Sequence, residues 1–433
     1  MSGVKVGVVG AGYVGLTTAV CLAERGLDTA CVDLDAAKVD RLNAGDPVID
    51  EPGLPLLLRS GLAARKLCFD TDYAALADCD VVFVCVPTPS GADGAADLRA
   101  VESAVDTLGR VLTAPAVVAL KSTVPVGTTR RMAARLRDRG LSVASIPEFL
   151  RESHAIYDFR NPDRVVIGSE TPRAAALLRQ VYGVGSQRTF EMSPESAELA
   201  KYASNAFLAV KLSYANSLAR LCAHAGADIA DVTRCMGADV RIGGHFLQPG
   251  PGWGGSCLPK DTAALLHAGR DAGVDLPEVA AARTTNDVQA ERIASTLQRL
   301  LPDALPDARI TALGLTFKAN TTDVRDSPAL RVCGGLTAAG AQVSGYDPRL
   351  GSIDPATLHR CGVVGVDDPY VATKGANAIV VLTEWSQFRD LDWPSIAEQA
   401  PGAVVLDTRN LLSRDAIAGT GLRYLGNGTV GGY

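Results

Sequence analysis

The sequence predicts an α/β protein built from two doubly wound parallel-sheet domains joined by a long central helix, and three observations carry that expectation. Short apolar runs alternate with helical patterns in two separate stretches, one near each end of the chain, as parallel sheets covered by helices require. Between them, from about Ser193 to Ala225, apolar residues recur at three- and four-residue spacing through Leu199, Tyr202, Ala206, Ala209, Leu212 and Leu218, with no Pro or Gly among these positions. Finally, 433 residues exceed the size of one ordinary core and suggest two or three.

In the first stretch, residues 4–9, 28–33, 81–86, 115–121 and 141–146 read as strands separated by Ala- and Leu-rich helical sequence. After the central helix come a Gly-rich stretch at 243–255 and further helical sequence. The second alternation begins at Arg309, with strands at 309–317, 342–347, 378–383 and 403–407 and a helix at 327–340. The expected domains are therefore 1–192, 193–298 and 299–433, the outer two Rossmann-like.

The formal charge of −6, from 42 basic and 48 acidic residues, offers no basic surplus for nucleic acid or an anionic membrane surface. Ten cysteines are scattered, as at Cys21, Cys31, Cys68, Cys79, Cys222 and Cys361, without zinc-site spacing, so no metal is expected and most read as reduced packing residues. The first residues run into a strand-like stretch rather than a secretory signal, and no apolar run is long enough to span a bilayer. The cytoplasm is the expected location.

Gly10-Ala11-Gly12-Tyr13-Val14-Gly15 follows the first strand and opens a helix. There Gly10 can make the tight turn, Gly12 can admit a pyrophosphate, and Gly15 can let helix and strand pack closely. The helix N-terminus then offers free N–H groups and a positive dipole end to the phosphates. The next strand ends in Asp33, where an acid can bond the adenosine ribose hydroxyls and repel a 2′-phosphate. The motif therefore predicts NAD in preference to NADP. Loops at 86–89 (VPTP) and 121–125 (KSTVP) follow later strands and carry no function by composition alone.

The chemistry-bearing stretch is residues 250–261, GPGWGGSCLPKD. Its glycines allow a close backbone approach to a ligand, and they set Cys257 at a loop-to-helix junction where a dipole can activate a thiol. Should the helix begin near Pro259, Asp261 lies in its first turn. A buried, inert turn cysteine remains an open alternative from the residues alone. Lys201 and Asn205, at i and i+4, share a face of the central helix, with a solvated Lys and a surface Asn as the bland reading. Glu148 and Glu152 in PEFLRE would share a face if that segment is helical, and surface ion pairing is the alternative there.

Taken together, these motifs resemble the UDP-glucose/GDP-mannose dehydrogenase family. The resemblance is carried by GAGYVG (10–15), KSTVPVG (121–127), PEFLRE (147–152), KYASNAFLAVKLSYANSLA (201–219), RIGGHF (241–246), GGSCLPKD (254–261) and GLTFKANTTDVRDSP (314–328), in one order along the chain. It implies NAD as cofactor and Cys257 as nucleophile. Lys201 and Asp261 would stabilise charge and move protons through an ordered water, and Asn205 would help bind the oxyanion. Glu148 is implied in thioester hydrolysis, Glu152 near nicotinamide and substrate, and Thr123 in ordering the catalytic water.

The resemblance also extends the cofactor set from Gly10, Gly12, Tyr13, Val14, Gly15 and Asp33 to Lys38, Thr88, Thr123, Glu152 and Arg325. It implies Phe149, Leu150, Lys201, Asn205, Gly254, Phe317, Lys318 and Arg409 for the substrate, with Arg241 reaching it from a neighbouring subunit, hence a homodimer.

The implied reaction takes a primary alcohol to an acid, losing two hydrides, with the aldehyde held on the cysteine between them. RIGGHF favours UDP-glucose as substrate, and dTDP-glucose or GDP-mannose are the neighbouring alternatives. Ser256 stands against N-acetylhexosamine relatives, which tend to His before the Cys, and Leu258 stands where many relatives have Phe. A two-electron hydroxyacid-type dehydrogenase with a structural Cys257, or a nucleotide-binding regulator without turnover, would be a different class.

Overall fold

A computed structural model describes residues 3–113, 115–183, 185–301 and 306–433. The chain divides into two compact units, Met1–Ser204 with Ala263–Val274, and Asn205–Thr262 with Asp275–Tyr433. Among the described residues, no helix is long and apolar enough to cross a membrane.

The first unit holds an eight-stranded sheet. Its strands are β1 (Lys5–Val9), β2 (Asp28–Val32), β3 (Leu67–Asp70), β4 (Val81–Val84), β5 (Val117–Leu120), β6 (Ser142–Ser145), β7 (Val165–Gly168) and β8 (Thr189–Met192). They lie in the order β3-β2-β1-β4-β5-β6-β7-β8, and every pair is parallel except β6 with β7. The chain thus runs outward from β1 in one direction, then returns to β4 on its other side. That reversal leaves a crevice at the carboxyl ends of β1 and β4, the place where open α/β sheets bind ligands.

Side chains alternate across the sheet as strand geometry dictates. Val81 and Phe83 of β4 join the core under the helices Tyr13–Glu24 and Leu54–Ala63, while Val82 and Val84 join the opposite core under the helix Arg99–Val111. Both faces are covered, so the strands read as apolar runs.

The second unit repeats the plan with β9 (Arg309–Leu313), β10 (Gln342–Tyr346), β11 (Val363–Gly365), β12 (Ala378–Val381), β13 (Val404–Asp407) and β14 (Arg423–Gly426). The order is β11-β10-β9-β12-β13-β14, all parallel. Ala378 and Val380 point into one core, Ile379 and Val381 into the other. The fold class expected from sequence is the one observed, two Rossmann-like sheets with a continuous helix, Pro194–Ala225, in the chain between them.

The sequence reading missed five strands: β3, β7, β8, β11 and β14. All are three or four residues long, and β3 (LCFD), β8 (TFEM) and β14 (RYLG) mix polar residues into the run, so neither length nor periodicity sets them apart. The strand expected over 309–317 ends at Leu313, because Gly314 adopts φ +91° and turns the chain.

Candidate functional site

In the first unit, the three glycines of the fingerprint do three different jobs. Gly10 has φ +95°, and a Cβ on it would stand 2.7 Å from the Cys85 carbonyl oxygen. A Cβ on Gly15 would overlap the Gly10 carbonyl oxygen, so helix and turn meet there with no room for a side chain. Around Gly12, by contrast, a Cβ would meet nothing within 4 Å, which leaves its backbone open to a ligand. Gly12 is also the N-cap of the helix Tyr13–Glu24, with no side-chain cap and no acid in the first turn. An uncapped helix N-terminus beside an open glycine is an anion cradle, and it fits a dinucleotide pyrophosphate.

Asp33 lies just past β2, where its Oδ2 accepts the Ala11 N–H at 2.7 Å and the Lys38 ammonium at 3.0 Å. Burial would push its pKa up, but the N–H groups of Asp35 and Ala11 and the Lys38 ammonium together hold it below the ordinary aspartate value. It therefore stays anionic at the edge of the glycine loop. The Tyr13 hydroxyl donates to the Glu51 carboxylate and accepts the Ser153 N–H at 2.7 Å. Burial beside Glu51 pushes its pKa up, so it remains a neutral phenol. Glu51, distant in sequence and without a motif, escaped the sequence reading.

Thr88 and Thr123 follow β4 and β5, and the Thr88 hydroxyl donates to the Thr123 carbonyl at 2.9 Å. Glu148 is buried, its Oε1 accepting the Lys201 ammonium at 3.1 Å and its Oε2 the Leu150 N–H at 2.6 Å. Burial favours its protonated form, yet Lys201, the Leu150 N–H and Lys121 together draw its pKa below the ordinary value. Lys201 also lies 5.1 Å from the Phe149 ring centre, and Arg164 stacks on that ring at 3.8 Å.

The segment carrying Glu148 and Glu152 is not helical. The expected shared face is therefore absent, and the reason is local: the Glu148 carboxylate bonds the N–H two residues on, which competes with helical pairing. Glu152 is half-buried, and Leu150 packs on the first core.

The second unit carries the cysteine loop. Cys257 is exposed and immediately precedes the helix Leu258–Asp271, with its carbonyl accepting the Asp261 N–H at 2.9 Å. Its Sγ lies 3.6 Å from the Ser256 hydroxyl. Asp261 is fully buried, bonded to Asn205 Nδ2 at 2.6 Å and to Lys260 Nζ at 2.5 Å. Lys201 and Asn205 sit one turn apart on one face of the same helix.

Two buried asparagines hold the glycine loop. Asn216 accepts the Gly250 N–H at 2.8 Å, while Asn286 accepts the Trp253 N–H at 2.7 Å and donates to the Trp253 carbonyl at 3.0 Å. Trp253 Nε1 donates to Ser213 at 2.9 Å. None of these three polar partners announces itself by spacing.

The same unit brings several expected substrate residues around that loop. Gly255 has φ +79° and faces the Phe317 ring, where a Cβ would stand 2.7 Å away, and its N–H donates to the Arg325 carbonyl at 3.0 Å. A Cβ on Gly254 would overlap the Asp326 carbonyl. Lys318 lies 5.7 Å from the Phe317 ring centre. The Arg409 guanidinium lies against Gly250, donates to the Leu382 carbonyl at 2.9 Å and approaches Glu384 at 3.2 Å. Arg325 and Arg241 are exposed and form ion pairs with Asp323 and Asp239 at 2.7 and 2.5 Å. Among the described residues, no cluster of three or more metal-ligating side chains occurs.

A doubly wound sheet with an open glycine cradle at its switch point and an acid after the second strand defines an NAD-dependent α/β dehydrogenase. Three family models match the chain: the NAD binding domain of the UDP-glucose/GDP-mannose dehydrogenase family over residues 4–184, its central domain over 195–288 and its UDP binding domain over 311–414. The chain belongs to the UDP-glucose/GDP-mannose dehydrogenase family.

It is 42% identical to a UDP-glucose 6-dehydrogenase of Pseudomonas aeruginosa, covering 97% of this chain and 96% of that one. It is 41% identical to a UDP-glucose 6-dehydrogenase of Rhizobium meliloti over 97% and 98%. Among solved structures, a UDP-glucose dehydrogenase from Pyrobaculum islandicum superposes with a TM-score of 0.90 at 37% identity, covering 98% of both chains.

Proposed function

We propose that this protein oxidises UDP-glucose to UDP-glucuronate in a four-electron reaction, with Cys257 carrying the covalent intermediate. The observation that carries the reading is the setting of Cys257, an exposed thiol at a helix N-terminus that favours negative charge on sulfur. Behind it lies a buried carboxylate, Asp261, tied to Asn205 and Lys260. The names borne by relatives across nearly the whole chain supply the substrate.

NAD, when bound, supplies the hydride acceptor for each of the two oxidations, held by the Gly10–Gly15 loop and Asp33, with Lys38, Thr88 and Arg325 completing its contacts. Between the oxidations the Cys257 thiolate adds to the C6 aldehyde carbon, forming a C–S bond and an alkoxide. The Lys201 ammonium stabilises that negative oxygen, Asn205 donates to it, and Asp261 carries the compensating proton through an ordered water. After the second oxidation water attacks the thioester carbon, the C–S bond breaks, the thiolate returns to Cys257, and the proton passes to Glu148, with Thr123 orienting the water. Glu152, Phe149 and Leu150 line the reacting sugar, and Gly254, Phe317, Lys318 and Arg409 hold the nucleotide part. On this reading residues 1–192 bind NAD, 193–298 carry the cysteine loop and the contact between subunits, and 299–433 bind the nucleotide.

A homodimer completes the proposal, with Arg241 reaching the sugar of the neighbouring subunit. Its support is a stripe on the long helix, where Phe207, Tyr214 and Leu221 recur every seven residues and are more than half exposed. The reading also implies the cytoplasm, and ten free cysteines accord with a reducing compartment.

The test is a panel of UDP-glucose, dTDP-glucose, GDP-mannose and UDP-N-acetylglucosamine with NADH counted against acid. Two NADH per UDP-glucuronate is expected. One NADH per product would instead mark a two-electron dehydrogenase with a structural Cys257. Cys257→Ser should stop acid formation, and Lys201→Ala should cut turnover by about a hundredfold, the usual cost of one oxyanion stabiliser.

A further inference from the structure

One buried cation in the first unit has no part in the reaction as described. Lys121, directly after β5, is 3% exposed, and its ammonium donates to the Tyr182 hydroxyl at 2.7 Å. It lies 5.3 Å from the Tyr182 ring centre and 5.9 Å from that of Phe159. A buried ammonium costs several kcal/mol unless charge nearby compensates it. Burial alone would push its pKa down, yet Tyr182, Cys85 and Glu148 together hold it above the ordinary lysine value. Of these three, only Glu148 is a carboxylate. The strand register sets the two groups on neighbouring exits: Leu120 of β5 pairs with Ser145 of β6 and accepts the Ile146 N–H at 2.8 Å, Lys121 follows Leu120 directly, and Glu148 comes two residues after Ile146.

Glu148 therefore bonds one buried lysine, Lys201, and feels the charge of a second, Lys121, at the end of the neighbouring strand. Lys201 bonds it directly, but Lys201 is also the cation assigned to the substrate oxygen. Lys121 is held by Tyr182 and by aromatic faces. Tyr182 is in turn fixed by Arg25, which donates to its carbonyl and stacks on Phe159 at 5.1 Å. We propose that Lys121 is a positioning residue, a fixed counter-ion that keeps Glu148 ionised and able to accept the proton of the attacking water while Lys201 is engaged by the substrate.

The inference rests on the role of Glu148 in thioester hydrolysis given above. The groups facing Glu148 are Lys201 on the long helix, the Leu150 N–H and Lys121; those facing Lys121 are Tyr182, Cys85 and Glu148. Removing the Lys121 charge leaves burial less opposed, so Glu148 should take up a proton at higher pH.

The experiment is acid-quenched single turnover of UDP-glucose with NAD between about pH 4 and 8.5, a range that spans the acid side of an ordinary glutamate, reading NADH, free acid and the sugar-bound protein by intact mass. In Lys121→Met, the acid limb of thioester hydrolysis should move up by about one pH unit, so hydrolysis slows about tenfold on that side and sugar-bound protein accumulates after the second NADH. Tyr182→Phe, which keeps the charge but loosens its anchor, should shift the limb less and in the same direction. Lys121→Arg should restore it in part.

A Lys121→Met protein that is folded by circular dichroism yet keeps the wild-type limb would overturn the proposal. If that variant does not fold, the Tyr182→Phe limb decides, and an unshifted limb there overturns it equally. Glu148→Gln separates the two readings. Normal hydrolysis in that variant would remove the base assignment and the proposal with it, whereas slow hydrolysis with an unshifted Lys121→Met limb would sink the counter-ion alone.

Discussion

The two sheets share one strand order outward from their first strands, yet they spend the same positions differently. After β1 the chain turns at Gly10 and is helical by Tyr13, which brings a bare helix N-terminus to the switch point. After β9 it turns at Gly314, and no helix begins until Pro328. The intervening loop carries Phe317, Lys318 and Arg325 instead.

The acid after each second strand differs in the same way. Asp33 binds the Ala11 N–H but remains partly exposed. Asp347, 2% exposed, accepts from the Leu315 and Thr316 N–H groups, the Thr316 hydroxyl, Trp385 Nε1 and the Arg349 N–H. One carboxylate is available to a ligand, whereas the other has become an internal clamp for its own loop. A topology therefore marks where ligands bind, and the hydrogen bonding of the loop residues decides which part of a ligand can be met there.

The sharpest break of the comparison is at the glycines that turn each loop. Gly15→Ala would drive a methyl group into the Gly10 carbonyl, and Gly314→Ala would combine φ +91° with a Cβ 2.6 Å from the Thr383 hydroxyl oxygen. Each should cost more than about 4 kcal/mol, lowering the thermal transition of its unit by on the order of 10 °C. Gly12→Ala meets no protein atom within 4 Å, so its melting profile should match the wild type while NAD affinity, read by titration, falls. Unchanged NAD affinity in that variant would remove the cradle assignment.

Next in size are the two acids. Asp347→Ala strips five donors of their acceptor and should cost about 3 kcal/mol in urea unfolding, with little change in NAD affinity. Asp33→Ala should do the reverse, raising the KM for NAD about tenfold and narrowing the preference over NADP, with stability altered by about 1 kcal/mol or less. Equal stability losses in the two variants would erase the distinction.

Features whose partners are close in sequence were legible from it. The Gly10–Gly15 loop with Asp33, the helix Pro194–Ala225 and the junction at Cys257 each declare themselves through a local pattern. The groups that hold the loops were not legible, because their partners are remote. Tyr13 meets Glu51, Lys121 meets Tyr182 and Trp253 meets Asn286, pairs 38, 61 and 33 residues apart that only the completed fold brings together. The condition on which Glu148 and Glu152 would share a face, a helix over PEFLRE, is not met for a related reason: a side chain bonding its own backbone and a lysine 53 residues on hold Glu148 there.

The smallest effect expected is in the pH dependence of stability, and it again separates the sheets. Asp33 is held below the ordinary aspartate value, with burial opposing the shift and the N–H groups and Lys38 prevailing. Its contribution is present above about pH 4, the unfolded value, and is lost as pH falls through its folded value. Asp407, at the end of β13, is pushed the other way by burial, in spite of the N–H groups of Leu412, Leu411 and Arg409 and the Tyr424 hydroxyl. Its contribution is complete below about pH 4 and is lost as pH rises through its elevated folded value. Urea unfolding of Asp33→Asn against wild type should therefore differ in slope only below about pH 4, and Asp407→Asn only above it. Slopes that diverge in the same window would show that the two carboxylates are held alike, and the contrast between an open acid and an internal one would then rest on Asp347 alone.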